Sequence, residues 1–331
     1  MQKQTVSFDD VLLTPQYSDI KSRSEVSISS KLGYRIYSLP IISSPMDTVT
    51  GTAMSWAMGS AGGLGIVHRY CSIQQQVKMT APNSAAAIGV TGDFLERAQA
   101  LYDSGVQTFC LDVAHGHHVL MKTALEKLRS QFSESVTLVA GNVATAQGYA
   151  DLSEWGADAV RIGIGGGSIC STRIQTGHGV PTFQSVLDCR DVDGATIIAD
   201  GGIRTAGDIV KVLAAGADFV MLGSMLAGTD QSPGDAFQNN EGKKYKVYRG
   251  MASVEAQKDW RGEARSLEGI STTIPYKGSV VEILESLATN IKSGLSYSGA
   301  RTIRELQAKA KFIGQTAAGQ SESNTHILGR K

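Results

Sequence analysis

Residues 195–224 read ATIIADGGIRTAGDIVKVLAAGADFVMLGS and contain one complete structural repeat. Its two ends, Ala195–Asp200 and Asp218–Gly223, are short and largely apolar, as expected of parallel strands that are covered on both faces. Between them, Ala206–Gly216 has apolar residues at helical spacing and ends in a glycine that suits a helix C-terminal turn. The stretch therefore predicts a strand, a helix and a second strand parallel to the first.

Apolar runs of the same kind recur along the chain and bring the total to eight. The other six are Leu39–Ser43, Leu64–His68, Ala85–Val90, Gln107–Asp112, Val136–Gly141 and Asp158–Gly163. Eight β-α units indicate an α/β protein with a (β/α)8 TIM barrel, whereas a doubly wound open sheet, the alternative, rarely has so many evenly repeated units. We expect residues 1–331 to form a single TIM-barrel catalytic domain.

The sequence becomes polar and charged after the eighth predicted strand. We expect a hairpin strand at Tyr245–Tyr248 and a polar loop at Lys258–Gly269. Residues 252–269, which we call the flap segment, are predicted to form a flap near the C-terminal face of the barrel. Two amphipathic helices, at Val280–Lys292 and Arg301–Phe312, precede a tail from about residue 314 to 331 that we expect to be loose.

The composition excludes several classes of partner. The chain has 331 residues, 42% of them hydrophobic, and its 31 basic and 31 acidic residues give a formal net charge of zero. It has no basic block that would bind nucleic acid, and its apolar runs are too short to cross a membrane. The four cysteines form neither Cys-x-x-Cys pairs nor a dense disulfide framework. We therefore expect a cytoplasmic protein with reduced thiols and with no nucleic-acid or membrane partner.

The candidate catalytic stretch follows the sixth predicted strand and reads Gly163-Ile-Gly-Gly-Gly-Ser168-Ile-Cys170-Ser-Thr172-Arg173. In a TIM barrel the chemistry lies at the C-terminal ends of the strands. A glycine run at such an end lets backbone N–H groups approach an anion, and the same N–H groups favour a thiolate. We predict that Gly165–Ser168 hold a phosphate and that Cys170 attacks the molecule that carries it. The other cysteines are interpreted as structural: Cys71, Cys110 and Cys189.

Two more glycine turns, Gly201–Gly202 and Gly223–Ser224, follow the seventh and eighth predicted strands. Each could be an ordinary turn between a strand and a helix, but loops after the last two strands are the usual phosphate position in this fold. Three glycine turns at one end of the barrel therefore predict a shared phosphate site, with Ser168 and Ser224 as donors. Asp200, at the end of the seventh strand, is predicted to hold ribose hydroxyls.

Two other kinds of site are not supported. His115, His117 and His118 lack a carboxylate or thiolate cluster beside them in the sequence, so we do not expect a metal there. No Gly-x-Gly-x-x-Gly motif follows the first predicted strand, so a Rossmann dinucleotide site is not supported either.

The chain resembles the IMP dehydrogenase / GMP reductase family over nearly its whole length. The matching stretches are Ser7–Leu13, Met46–Val49, Gly141–Thr145, Gly163–Arg173, Ala199–Gly202, Gly223–Gly228, Tyr248–Met251 and Glu268–Ile270. The resemblance implies a TIM barrel, usually a homotetramer, that binds a purine nucleoside monophosphate beside a nicotinamide dinucleotide. One departure from the family is Gly166, where proline is usual.

The resemblance also implies roles for individual residues. Cys170 would be the catalytic nucleophile that attacks purine C2, with Thr172 and Glu268 as a proton relay. The substrate-binding residues would be Ser44, Met46, Ser168, Asp200, Gly202, Gly223, Ser224, Tyr248, Gly250 and Met251. The cofactor-binding residues would be Asp112, Ala114 and Arg265. A monovalent cation such as K+ is a candidate ligand of the loop carbonyls at Gly165, Gly167 and Cys170.

Both reactions of the family pass through a covalent purine adduct on Cys170. The dehydrogenase oxidises IMP with NAD+ and hydrolyses the adduct to XMP, whereas the reductase removes ammonia from GMP and reduces the adduct with NADPH to IMP. Dehydrogenases usually carry a water-activating Arg-Tyr pair on the flap and a regulatory insert after the second strand, and this chain has neither. We therefore predict a GMP reductase that uses NADPH.

Two alternatives stay open. Ala199–Arg204, Pro275–Gly278 and the tail Glu322–His326 look more like the dehydrogenase, and Arg69 stands where reductases tend to carry lysine. The first alternative is therefore an IMP dehydrogenase that uses NAD. The second is a barrel that binds a phosphorylated ligand without catalysis, although binding alone does not need the Cys170 thiol.

Overall fold

A computed structural model describes residues 4–80, 84–264 and 267–323 of the chain. The strands are, in chain order, β1 (Val11–Leu13), β2 (Ser30–Leu32), β3 (Arg35–Tyr37), β4 (Ile41–Ser43), β5 (Leu64–Val67), β6 (Ala85–Ile88), β7 (Thr108–Asp112), β8 (Thr137–Val143), β9 (Ala159–Ile162), β10 (Thr196–Asp200), β11 (Phe219–Leu222), β12 (Phe237–Gln238), β13 (Lys244–Arg249), β14 (Ser271–Pro275) and β15 (Phe312–Gly314).

The α-helices alternate with the strands through most of the chain. They are α1 (Thr52–Ser60), α2 (Ile73–Met79), α3 (Phe94–Asp103), α4 (Val119–Phe132), α5 (Ala146–Glu154), α6 (Thr172–Thr176), α7 (Thr182–Cys189), α8 (Ala206–Ala215), α9 (Val254–Arg261), α10 (Val280–Tyr297), α11 (Ile303–Lys309) and α12 (Ala317–Glu322). Short 3-10 helices occupy Phe8–Asp10, Arg23–Glu25 and Ser133–Ser135. No helix of the described residues is long and apolar enough to cross a membrane.

Strands β4 to β11 form a closed parallel barrel in the order β10-β11-β4-β5-β6-β7-β8-β9. The ring closes where β11 pairs with β4, with Val220 opposite Ile41. These strands are the eight predicted apolar runs, and the predicted (β/α)8 TIM barrel is therefore confirmed. Because each strand ends at the same edge of the barrel, the polar residues that follow the strands converge on one opening.

The barrel strands are largely apolar because both of their faces are buried. In β7, Cys110 belongs to the small cluster inside the barrel, whereas its neighbours Phe109 and Leu111 belong to the larger cluster that includes the surrounding helices. All three side chains are fully buried. Burial of a large apolar side chain contributes about 1.5–3 kcal/mol, so two packed layers hold the strand ends rigidly in place.

The segment Lys258–Gly269, which was predicted to be a polar loop, begins inside helix α9. The Ser253 side chain accepts a hydrogen bond from the Ala256 amide and caps the start of this helix, and Gly262, with φ of 77°, ends it. The helix is missed in the sequence because its residues are mostly polar and its few apolar residues are too sparse to mark a helix. The strand predicted at Tyr245–Tyr248 lies within β13, which pairs with β12 and β14 in an antiparallel sheet.

The C-terminal elements differ from their predicted bounds. Helix α10 continues to Tyr297, and α11 ends at Lys309 because β15 leaves the helix to pair with β1 at the start of the chain. The tail that was predicted to be loose contains α12, whose first turn is capped by the Thr316 side chain. Residues 324–331 lie outside the described residues.

Candidate active site

A cavity of about 330 Å³ opens at the C-terminal ends of the barrel strands. It brings together seventeen of the predicted site residues: Ser44, Met46, Asp112, Ala114, Gly165, Gly167, Ser168, Cys170, Thr172, Asp200, Gly202, Gly223, Ser224, Tyr248, Gly250, Met251 and Glu268. The remaining one, Arg265, lies outside the described residues. Residues that are far apart in the chain therefore share one site.

Cys170, Thr172 and Glu268 form a continuous hydrogen-bonded chain. The Cys170 thiol donates to the Thr172 hydroxyl with an Sγ–Oγ1 distance of 3.1 Å, and that hydroxyl donates to the Glu268 carboxylate with an Oγ1–Oε2 distance of 2.8 Å. A proton that leaves the thiol therefore has a path to a carboxylate through one hydroxyl. This arrangement can generate a thiolate and later return the proton to a leaving group.

The end of the flap segment is bonded directly to the loop that carries the thiol. The amide of Ser171 donates to the Glu268 carbonyl at 2.9 Å, and the amide of Ile270 donates to the Ile169 carbonyl at 3.1 Å. These backbone bonds set the position of the Glu268 side chain relative to Thr172. Two segments that are almost a hundred residues apart thus form one catalytic unit.

The glycine at the start of the loop is required by a close approach of two strands. Gly163 has φ of 146°, and a Cβ atom there would lie 1.9 Å from the carbonyl oxygen of Asp200. No side chain fits at that distance, so only glycine lets β9 end beside β10. The turn then leads the chain over the cavity toward Cys170.

The glycine turns after β10 and β11 form an anion cradle. The amides of Gly202 and Ser224 have no hydrogen-bond acceptor among the described residues, and both residues line the cavity. Tyr248 is 4% exposed and lines the same cavity as Ser168. Burial raises the pKa of Tyr248, so its hydroxyl stays protonated and can donate. Free amides and hydroxyl donors in one place suit a phosphate group.

Ser44 adds a further polar group to the cavity wall. Its side-chain oxygen is buried and has no hydrogen-bond partner among the described residues. A buried hydroxyl without a partner is costly, and it is normally satisfied by a ligand or water. This observation agrees with the predicted role of Ser44 in binding the substrate.

Arg161 lines the cavity and was not among the predicted site residues. Its guanidinium bonds Asp112 through Nη1 at 2.5 Å and Asp200 through Nη2 at 2.9 Å. Asn142 also donates to the same Asp200 oxygen, at 2.8 Å. The carboxylates predicted for the nicotinamide side and the ribose side are therefore held by one cation. An arginine inside an otherwise apolar strand was the available signal.

Cys110 lies beside this arginine but does not share the chemistry of Cys170. It is fully buried inside the barrel, with its sulfur 3.5 Å from Arg161 Nη1. Burial raises the pKa of the Cys110 thiol to about 12, so it stays protonated at neutral pH and is a poor nucleophile. Its predicted structural role agrees with this burial.

An aromatic contact joins the flap segment to the wall of the cavity. The ring of Trp260, on α9, stacks on Tyr70 with centroids 4.3 Å apart and an interplanar angle of 13°. The Arg69 guanidinium lies 5.3 Å from the Tyr70 ring and 5.7 Å from the Trp260 ring, and it also bonds the Asp112 carbonyl at 3.2 Å. Helix α9 is therefore packed against the part of the cavity wall that contains Arg69, Tyr70 and Asp112.

The histidine-rich loop after β7 makes a different kind of contact. His117 Nε2 lies 2.7 Å from Asp151 Oδ2, and the neighbouring ring of His115 is 6.5 Å away. Within residues 4–80, 84–264 and 267–323, no group of three or more His, Cys, Asp or Glu side chains is placed to hold a metal ion.

Known proteins are similar to this chain in sequence over nearly its whole length. The model of the IMP dehydrogenase / GMP reductase domain matches residues 5–326. The chain is 35% identical to an inosine-5'-monophosphate dehydrogenase of Nitrosopumilus maritimus, with 98% of each chain covered. It is 30% identical to a GMP reductase of Leishmania major, with 98% of this chain and 97% of the relative covered.

A solved structure has the same fold. The GMP reductase C318A of Trypanosoma brucei, in complex with guanosine 5'-monophosphate, superposes with a TM-score of 0.93 at 30% identity, with 98% of each chain covered. Together with the barrel and a thiol, hydroxyl and carboxylate relay at its mouth, these matches show that the chain belongs to the IMP dehydrogenase / GMP reductase family of nicotinamide-dependent oxidoreductases.

Proposed function

We propose that this protein is a GMP reductase, which converts GMP to IMP and ammonia with NADPH. The flap segment carries the argument. Hydrolysis of the purine adduct needs a base that activates water, and no tyrosine occurs between residues 252 and 269. The Arg261 side chain is engaged on the flap itself, by Gln257, by the Glu263 carbonyl and by the Trp260 ring. The flap therefore lacks an Arg-Tyr pair that would activate water, and its Arg261 side chain is already engaged.

The relay supports the proton transfers that a reductive deamination requires. The Cys170 sulfur bonds to C2 of GMP, and its proton passes through Thr172 to Glu268. The bond from C2 to the exocyclic nitrogen then breaks, and the proton returns to the leaving amine, which departs as ammonia. When bound, NADPH supplies a hydride to C2. The carbon–sulfur bond then breaks, and IMP leaves a thiolate on Cys170.

The anion cradle supports a nucleoside monophosphate as the substrate. A phosphate would accept hydrogen bonds from the free amides of Gly202 and Ser224, while Asp200 would accept bonds from ribose hydroxyls. Met46 and Met251 line the same cavity and would contact the base. The solved relative from Trypanosoma brucei holds guanosine 5'-monophosphate, which fits this assignment.

The residues on the opposite wall fit a nicotinamide ring. Asp112 and Ala114 line the same cavity as Cys170, so a ring on that side would reach the purine without an intervening wall. The preference for NADPH, the cation near Gly165, Gly167 and Cys170, the homotetramer and the cytoplasmic location are parts of this proposal that derive from the family resemblance. None of them enters the proton relay.

IMP dehydrogenase is the second candidate, and one observation favours it. The full-length match to the dehydrogenase of Nitrosopumilus maritimus has 35% identity, against 30% for the reductase of Leishmania major. In the dehydrogenase reaction the same thiol, hydroxyl and carboxylate would act as nucleophile and proton relay. Water would have to be activated by a group other than an Arg-Tyr pair on the flap.

The two candidates predict opposite changes in nicotinamide absorbance. With GMP and NADPH we expect absorbance to fall and ammonia to appear in equal amounts, and with IMP and NAD+ we expect no rise. Each mixture should be run in parallel with the Cys170→Ser variant as a blank. Turnover with IMP and NAD+ alone would reject the reductase in favour of the dehydrogenase. Nucleotide binding without turnover in either mixture would instead support a non-catalytic binding barrel.

A further inference from the structure

Arg249 joins three segments that surround the base end of the cavity. It lies at the end of β13, and its Nε and Nη2 atoms bond Asp47 Oδ2 at 3.0 and 2.7 Å. Its remaining nitrogen, Nη1, bonds Asp259 Oδ2 at 2.6 Å. Asp47 follows β4, whereas Asp259 lies on the flap helix α9. One guanidinium is therefore shared between the barrel and the flap segment.

The bond between Arg249 and Asp47 connects the two loops that carry the cavity methionines. Asp47 directly follows Met46, and Arg249 precedes Met251 by two residues. The Asp47 amide lies 3.3 Å from the Met251 sulfur, and the Arg249 amide donates to the Thr48 hydroxyl at 3.2 Å. The side chains of Arg249 and Asp47 are only 18% and 12% exposed, so this pair fixes both loops together.

The bond between Arg249 and Asp259 connects Arg249 to the flap segment, because Asp259 lies on α9. Asp259 precedes Trp260, whose ring stacks on Tyr70, so adjacent residues of α9 contact Arg249 at the end of β13 and Tyr70 after β5. The same segment ends at Glu268, which bonds Thr172. Arg261, the last residue of α9, precedes Glu268 by only seven positions in the sequence, so we expect the seating of α9 to affect Glu268.

We propose that Arg249 is a positioning residue that links the base-contact loops to the proton relay, because its bond to Asp259 seats the flap helix. The inference rests on the proposed function only in taking Cys170, Thr172 and Glu268 as the reacting groups, and it applies to either direction of the reaction. Arg249 touches neither the thiol nor the relay, so it acts through the seating of α9.

Because Asp259 is exposed, an effect of its removal on catalysis can be distinguished from an effect on the stability of the fold. Its side chain is 66% exposed, and an exposed ion pair contributes little to the free energy of unfolding. Removal of this carboxylate should therefore leave the fold intact. The effect should appear in the catalytic step, which depends on the distance between Glu268 and Thr172.

The test compares Asp259→Asn with Lys258→Gln, a change at the adjacent exposed residue, which makes no ion pair among the described residues. We expect Asp259→Asn to lower kcat about threefold to fivefold with an unchanged Kd for the nucleotide, and Asp259→Glu to restore it. High salt should lower kcat of the wild type but not of Asp259→Asn. Lys258→Gln should behave as the wild type does.

A second readout does not need turnover. Iodoacetamide should alkylate Cys170 faster in Asp259→Asn than in the wild type or in Lys258→Gln, because a displaced flap exposes the thiol. Equal alkylation rates and equal kcat values in all three proteins would overturn the inference. A wild type that turns over neither substrate pair, but whose alkylation rate rises in Asp259→Asn, would reject the proposed function and leave the inference standing.

Discussion

Cys170→Ser is expected to lower kcat by a factor of about 10³ or more, while the Kd for the nucleotide stays close to that of the wild type. A hydroxyl has nearly the size of the thiol but is a far weaker nucleophile at neutral pH. The anion cradle around Gly202, Ser224 and Tyr248 does not include the sulfur atom, so binding should survive. Turnover and calorimetric titration with the nucleotide measure the two effects separately.

Cys71→Ser is the matched control for this change. Burial raises the pKa of the half-buried Cys71 thiol, and the residue does not line the active-site cavity, so its replacement should leave turnover unchanged. A halogenated purine nucleotide should add its mass to the peptide that contains Cys170 and to no other cysteine peptide. Substantial activity in Cys170→Ser, or label on Cys71 instead, would contradict the covalent mechanism.

Arg161→Met is expected to lower the free energy of unfolding by about 3–5 kcal/mol and to abolish nucleotide binding. The arginine side chain is 7% exposed, and its loss would leave the Asp112 and Asp200 carboxylates, which are only 18% and 17% exposed, without the cation that pairs with them. Their repulsion would displace the strand ends that carry the two walls of the cavity. Chemical denaturation measures the first effect, and titration with the nucleotide measures the second.

Arg161→Lys tests whether charge alone is sufficient. Lysine keeps the positive charge, but its single ammonium lacks the planar fork that reaches Asp112 and Asp200 at once. We expect a stability between those of the wild type and Arg161→Met, with binding still impaired. Asp200→Asn is the complementary control, because it leaves Arg161 paired with Asp112. Wild-type stability in Arg161→Met would show that the bridge is not needed.

The barrel could be predicted closely because one simple property, a largely apolar sequence, identifies its strands. A strand covered on both faces must be largely apolar, and eight runs such as Ala195–Asp200 satisfy this without reference to the rest of the chain. Polar residues after each run then had to meet at one opening. The family resemblance added the pairing of Thr172 with Glu268, which no local pattern contains.

The elements that were missed depend on contacts between distant segments. Helix α9 is mostly polar, and it is held by its caps, by the contact of Trp260 with Tyr70 and by the bond of Asp259 with Arg249. Strand β15 ends the predicted C-terminal helix only because β1, almost three hundred residues earlier, is available to pair with it. Residue propensities along the chain contain no information about either of these distant contacts.

The sequence by itself determined the barrel, the nucleophile loop and the family, because each can be identified from a local pattern of apolar runs, glycines or motif residues. The tertiary structure alone decided how the charged groups are shared. Arg161 divides its guanidinium between Asp112 and Asp200, and Arg249 divides its guanidinium between Asp47 and Asp259. Such sharing is set by distances of a few ångströms between segments, and these distances exist only once the barrel has closed.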